Sequence, residues 1–115
     1  MTALWSQAEL TAAFGAAPIA SLGAAVGGVS IDSRTLEAGD LFIAIKGAAH
    51  DGHDHVARAF ESGAVAAVVS RERAGRLAPL GPLFAVDDTL SAMERLGVAA
   101  RARRWESAPR NWSAS

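Results

Sequence analysis

Two short polar segments carry the side chains through which this chain could do chemistry. Asp32-Ser33-Arg34-Thr35 offers a carboxylate, two hydroxyls and a guanidinium in succession. Arg34 has the planar fork for a bidentate contact to a diphosphate or a carboxylate. An equally good account makes the segment a turn, with Asp32 and Ser33 satisfying local amides and Arg34 paired to Asp32 or Asp40. The second segment is Lys46-Gly47-Ala48-Ala49-His50-Asp51-Gly52-His53-Asp54-His55. Lys46 is the sole lysine; followed by glycine, it could reach an anion that the backbone approaches closely, or lie along the surface as a solvated side chain. His50, His53 and His55, interleaved with Asp51 and Asp54, are ligand types that zinc, nickel or manganese accepts. Their spacing fits no metal motif, and an Asp-Gly turn with Asp54 near a helix N-terminus accounts for them without a metal.

Other catalytic templates are missing from the sequence. No Gly-rich loop ends in Gly-Lys-Ser/Thr, and there is no Gly-x-Ser-x-Gly elbow. Asp87-Asp88 is a carboxylate pair, but a capping role before a helix explains it. The chain has no cysteine, which removes disulfides, thiolate nucleophiles and cysteine metal sites together.

The elements that must hold the two segments follow from patterning. Ser6-Gln7-Ala8-Glu9 fits a capping box, Leu10, Ala13 and Phe14 share a face, Trp5 serves as a staple and Gly15 ends the helix. A loose Ala/Gly segment runs to Gly28. Val29 to Asp32 and Leu41 to Lys46 read as strands. The short link Ser33 to Asp40 is below the dozen residues a parallel crossover usually takes, so these strands are expected to be antiparallel and the sheet mixed. A helix is expected from about Asp54 to Ser62, with Val56, Ala59 and Phe60 inward and Gly63 as its stop. Ala64 to Ser70 is a third strand and Arg71 to Pro82 an exposed connection broken by Gly75, Pro79, Gly81 and Pro82. Leu83 to Asp87 is a fourth strand. Asp88 or Thr89 caps a last helix with Leu90, Met93, Leu96 and Ala100 inward. The fold class is thus α/β, a small mixed sheet with flanking helices.

At 115 residues the chain fits one domain. A net charge of −1 gives no general pull toward nucleic acid or an anionic membrane. The basic run after Arg95 suits a helix C-terminus. No signal peptide or membrane-spanning run is visible, and a cytoplasmic location is expected.

In combination, Ser30-Ile31-Asp32-Ser33-Arg34, Ala38-Gly39-Asp40-Leu41-Phe42-Ile43-Ala44-Ile45-Lys46-Gly47, Asp51-Gly52-His53-Asp54 and Gly63-Ala64-Val65-Ala66-Ala67-Val68-Val69-Ser70 resemble the N-terminal domain of Mur ligases, the MurF type first and the MurE type next. The likeness covers residues 1 to 103, and residues 104–115 form a tail outside it, expected to be unstructured. It implies a domain that holds the uridine diphosphate end of UDP-N-acetylmuramoyl-peptide, in an enzyme of cell-wall synthesis whose later domains handle ATP and magnesium. On this resemblance the substrate-binding residues are Ser33, Arg34, Lys46, Gly47, Ala48, Ala49, His50, Asp51 and Gly52. Ala48, Ala49 and His50 are expected to line the uracil; Arg34 and Asp51 are either direct ligands or supports of the two loops. His55 stands where relatives commonly carry an aromatic or aliphatic residue. Ala48-Ala49 replaces a usually more polar pair, which moves the expected uracil contacts toward the backbone. No catalytic residue, resident metal or cofactor is expected here, and the chain alone is expected not to perform the ligase reaction. The end does not resemble the continuation of a full ligase, so a truncated chain, a frame-shifted gene product or an altered gene model is expected. Two other readings remain: a metal-dependent enzyme using His50, His53 and His55, and an inactive segment that self-associates through apolar surface.

Overall fold

The structure, a computed structural model, describes residues 5–46 and 51–102. Helix α1 (Gln7–Phe14) opens the chain, followed by strands β1 (Gly28–Ser30) and β2 (Asp40–Ile43). A 3-10 turn at Gly52–His55 leads into α2 (Val56–Glu61), then β3 (Ala66–Ser70), α3 (Arg71–Leu77), a second 3-10 turn at Ala78–Leu80, β4 (Leu83–Val86) and α4 (Thr89–Ala102). The strands form one sheet in the order β1-β2-β3-β4, and every neighbouring pair is parallel.

The α/β class is as expected, but the antiparallel β1–β2 pairing, and with it the mixed sheet, is not. Gly28, Val29 and Ser30 lie opposite Asp40, Leu41 and Phe42 in parallel register. Strands this short rise only about 10 Å, whereas residues 31–39 can reach up to roughly 30 Å when extended. The return path therefore needs no helix. Leu36 takes the place of one, buried at 8% exposure among the residues beneath the sheet. The Glu37 amide donates to Asp40 Oδ2 at 3.0 Å and closes the turn into β2.

Alternation along the strands fills two cores. Leu41, Ile43, Ala66, Val68, Phe84 and Val86 join Trp5, Leu10, Phe14, Ala92 and Leu96 on the side of α1 and α4. Phe42, Ala44, Ala67, Val69 and Leu83 join Leu36, Val56, Ala59 and Ala74 on the side of α2 and α3. A parallel sheet covered on both faces gives the near-continuous apolar runs seen in β2 and β3.

Local signals set several boundaries. The capping box is complete: Glu9 N donates to Ser6 Oγ at 3.2 Å and Ser6 N donates to Glu9 Oε1 at 2.9 Å. Gly15 closes α1 in the left-handed conformation, φ 70°, and Arg95 of α4 donates to the Phe14 carbonyl at 3.0 Å. Phe14 meets Phe84 edge-on, with ring centroids 5.1 Å apart. Asp88 caps α4, accepting from the Leu90 amide at 3.0 Å and the Ser91 hydroxyl at 3.1 Å.

Two expectations about helices change. The connection after β3 contains α3, although Gly75 lies within it: Ala74 is buried and Leu77 packs beneath the sheet, and tertiary burial outweighs the glycine. In α4, Ala92 and Leu96 are fully buried, whereas Leu90 is 47% exposed. Leu90 sits at the first turn, where the chain has just left the sheet. The side chain of Ala100 and the tail 104–115 lie outside the described residues.

Candidate functional site

Beyond the ends of β1 and β2 a cleft of about 600 Å3 separates the Asp32–Thr35 turn from the start of α2. One wall is Ile31, Asp32, Ser33, Arg34 and Thr35; the other carries Gly52, His55 and Arg58, with Phe42 and Ile45 between them.

The first wall is a self-supported turn. Asp32 Oδ1 accepts from the Arg34 amide at 2.9 Å and from Arg34 Nε at 3.1 Å, and Oδ2 accepts from Nη2 at 2.9 Å. Ser30, buried at the end of β1, donates its hydroxyl to the Asp32 carbonyl at 2.9 Å and accepts the Asp32 amide at 3.1 Å. The Arg34 guanidinium and amide hold the Asp32 carboxyl down at about 2; Arg34 in turn is raised by that carboxylate. The pairing expected of a turn is present: Arg34 pairs with Asp32, not Asp40, and it also lines the cleft. Ser33 also lines the cleft, and its hydroxyl has no hydrogen-bond partner among the described residues.

The second wall is fixed from behind. Asp51 caps the 3-10 turn by accepting the His53 amide at 3.0 Å. The same Oδ1 lies 2.7 Å from His53 Nδ1, while Oδ2 pairs with Arg73 Nη2 of α3 at 2.8 Å. The Ser70 amide, at the end of β3, donates to His53 Nε2 at 2.9 Å. Nε2 must then be the acceptor, which leaves the ring proton on Nδ1, facing Asp51. Burial pushes the Asp51 carboxyl up, but the His53 amide and ring and the Arg73 guanidinium outweigh it and hold it at about 2. Gly52 is needed for close approach: its amide donates to the Ile45 carbonyl at 2.9 Å, and a Cβ there would lie 2.7 Å from Ile45 N.

The predicted site residues therefore divide. Ser33, Arg34 and Gly52 come together around the cleft. Asp51 is not among the described lining residues, and its carboxylate is paired with His53 and Arg73. Lys46 is exposed, bridges the Asp51 backbone in antiparallel fashion and is not part of the cleft lining. Gly47, Ala48, Ala49 and His50 lie outside the described residues. Residue-type reasoning missed Arg58 and the cleft position of His55. The available signal was their spacing of three on the helical segment that follows the loop. His55 is exposed at the cleft, and Val56 and Ala59 carry the helix packing instead.

Among the described residues no group of three or more His, Asp or Glu converges, and both ring nitrogens of His53 are engaged by Asp51 and Ser70. What the cleft offers is a free hydroxyl at Ser33, a neutral Asp32–Arg34 pair and an additional cation at Arg58, over an apolar floor.

Comparison with known proteins agrees with the shape. Residues 25–103 match the family described as "Mur ligase family, catalytic domain". UDP-N-acetylmuramoyl-tripeptide–D-alanyl-D-alanine ligase of Synechocystis is 36% identical over 78 residues, covering 68% of this chain and 17% of the relative. UDP-N-acetylmuramoyl-L-alanyl-D-glutamate–2,6-diaminopimelate ligase of Geobacter sulfurreducens is 44% identical over 72 residues, 62% of this chain and 14% of that protein. A crystal structure of MurF from Acinetobacter baumannii superposes with TM-score 0.79 at 26% identity, covering 90% of this chain and 22% of that one. The chain thus spans only a small part of the length of these relatives, and it belongs to the Mur ligase family.

Proposed function

We propose that this chain is the N-terminal substrate-binding domain of a peptidoglycan-synthesis Mur ligase and that its cleft holds the uridine diphosphate end of UDP-N-acetylmuramoyl-peptide. The observation that carries this reading is the cleft at the ends of β1 and β2, where Ser33, Arg34 and Gly52 meet. Ligands of open α/β sheets bind beyond the carboxyl ends of the strands, which is where these residues lie. Small-molecule sites of this size typically combine apolar lining with a few convergent polar groups, and Ile31, Phe42 and Ile45 supply the apolar part. The two relatives named above have UDP-N-acetylmuramoyl peptides in their names.

Binding without turnover is the activity proposed for this chain. The sequence has no Gly-Lys-Ser/Thr phosphate loop, so ATP would be handled elsewhere in a full ligase. The cytoplasm, where nucleotide-activated precursors are made, is its proposed location. Among the described residues no helix is long and apolar enough to cross a membrane. Calorimetric titration with UDP-N-acetylmuramoyl-tripeptide tests the reading. Saturable heat that weakens in Ser33→Ala supports it, and no heat at millimolar ligand removes it.

A further inference from the structure

The geometry points to Arg58 as the residue that holds the diphosphate in the cleft, facing the Ser33–Arg34 turn from the opposite wall; this deepens the nucleotide reading and rests on it. The charge balance of the cleft carries the argument. Among the described residues lining it Asp32 is the only carboxylate, and both its oxygens are occupied by Arg34. That pair is neutral as a unit. Arg58 is exposed, lines the same cavity and has no ion-pair partner among the described residues. Asp54 and Glu61, four residues before it and three after, stand at spacings where a helix commonly pairs charges, yet neither forms a salt bridge with it. Among the described residues lining the cavity, Arg58 is left as the uncompensated guanidinium.

Position adds to charge. Arg58 follows His55 by three residues, so both reach the cleft from one helical face. The helix itself is anchored by Val56 and Ala59, each fully buried. A guanidinium on a fixed helix presents its donors to phosphate oxygens with less ordering cost than one on a free loop. Across the cavity stands the unpartnered Ser33 hydroxyl. An anion with oxygens on two adjoining groups, a diphosphate, can take the hydroxyl on one side and the guanidinium on the other. Uridine alone offers Arg58 no anionic group.

The test compares UDP, uridine and inorganic pyrophosphate on the whole chain and on Arg58→Gln and Arg58→Lys, read by calorimetry and by amide and guanidinium NMR shifts. The expected result is a loss of about tenfold in UDP affinity for Arg58→Gln with uridine affinity unchanged, and recovery of most of it in Arg58→Lys. Raising salt should weaken UDP binding to the wild type more than to Arg58→Gln. If pyrophosphate shifts the Arg58 and Ser33 signals while uridine and UDP bind no better than pyrophosphate, the role of Arg58 stands and the uridine reading falls. UDP affinity undiminished in Arg58→Gln, or no perturbation of Arg58 by UDP or pyrophosphate, overturns the role of Arg58. Circular dichroism and melting of the variants exclude misfolding as the cause of any loss.

Discussion

The Ser70 amide donates to His53 Nε2 at 2.9 Å and thereby joins the turn that follows β2 to the end of β3. His53 is only 7% exposed, and its other ring nitrogen faces Asp51. The cleft wall is therefore positioned by a half-buried chain of contacts running from Ser70 through His53 to Asp51 and Arg73. Replacing His53 with alanine leaves the Ser70 amide without its acceptor and opens a cavity. We expect a loss of about 2–3 kcal/mol in urea unfolding. A loss below about 0.5 kcal/mol, the range of ordinary surface substitutions, would show that the contact does not hold the wall.

Acid should weaken the same support in a defined window. The Asp51 carboxyl sits at about 2 in the folded protein against an ordinary value of 3.8. Between those values the unfolded chain binds the proton more readily, so its stabilising contribution is complete above pH 4 to 5 and disappears as pH falls through about 2. The magnitude is about 2 kcal/mol. Urea unfolding from pH 6 to pH 2 should show this loss in the wild type, and Asp51→Asn should lack that component. Identical pH profiles in the two proteins would rule the coupling out.

Gly52→Ala tests the close approach at the cleft. The added Cβ meets Ile45 N at 2.7 Å and Ala44 Cα at 3.0 Å, both backbone atoms that cannot rotate away. A destabilisation of about 1–3 kcal/mol is expected, with amide shifts concentrated at Ile45 and Gly52. Unchanged melting and unchanged Ile45 shifts would contradict it.

Arg34→Ala separates folding from binding. The Asp32–Arg34 pair is exposed, at 37% and 78% for the two side chains, and exposed pairs contribute about 0–1 kcal/mol. The variant should melt within a few degrees of wild type while its UDP affinity falls. A large stability loss would instead assign Arg34 to the scaffold.

Much of this was legible from residue types, and the failures have physical causes. Ser6 and Glu9, Gly15, and Asp88 announce their caps because each cap needs particular atoms at fixed spacing. The short strands β1 and β2 misled because crossover length was judged without knowing strand length: Gly28–Ser30 needs so little return path that Leu36 suffices in place of a helix. Helix α3 was hidden because Gly75 and Pro79 read as loop punctuation, whereas Ala74 and the second core hold the segment helical. At the site, Ser33, Arg34 and Gly52 could be named from their motifs. Arg58 has only its spacing of three from His55 to mark it, and an arginine on a short helix looks like solvated surface until the opposite wall is in place. Asp51 reads as either a ligand or a support, and only the position of Arg73 on a later helix shows where its second oxygen is paired.

The most direct measurement is an amide-shift titration of the chain with UDP-N-acetylmuramoyl-tripeptide. The account predicts saturable shifts centred on Ser33, Arg34, Gly52 and His55, with the α1–α4 side of the sheet unmoved. Absence of shifts at millimolar ligand, or shifts centred on α1 and α4, would contradict it.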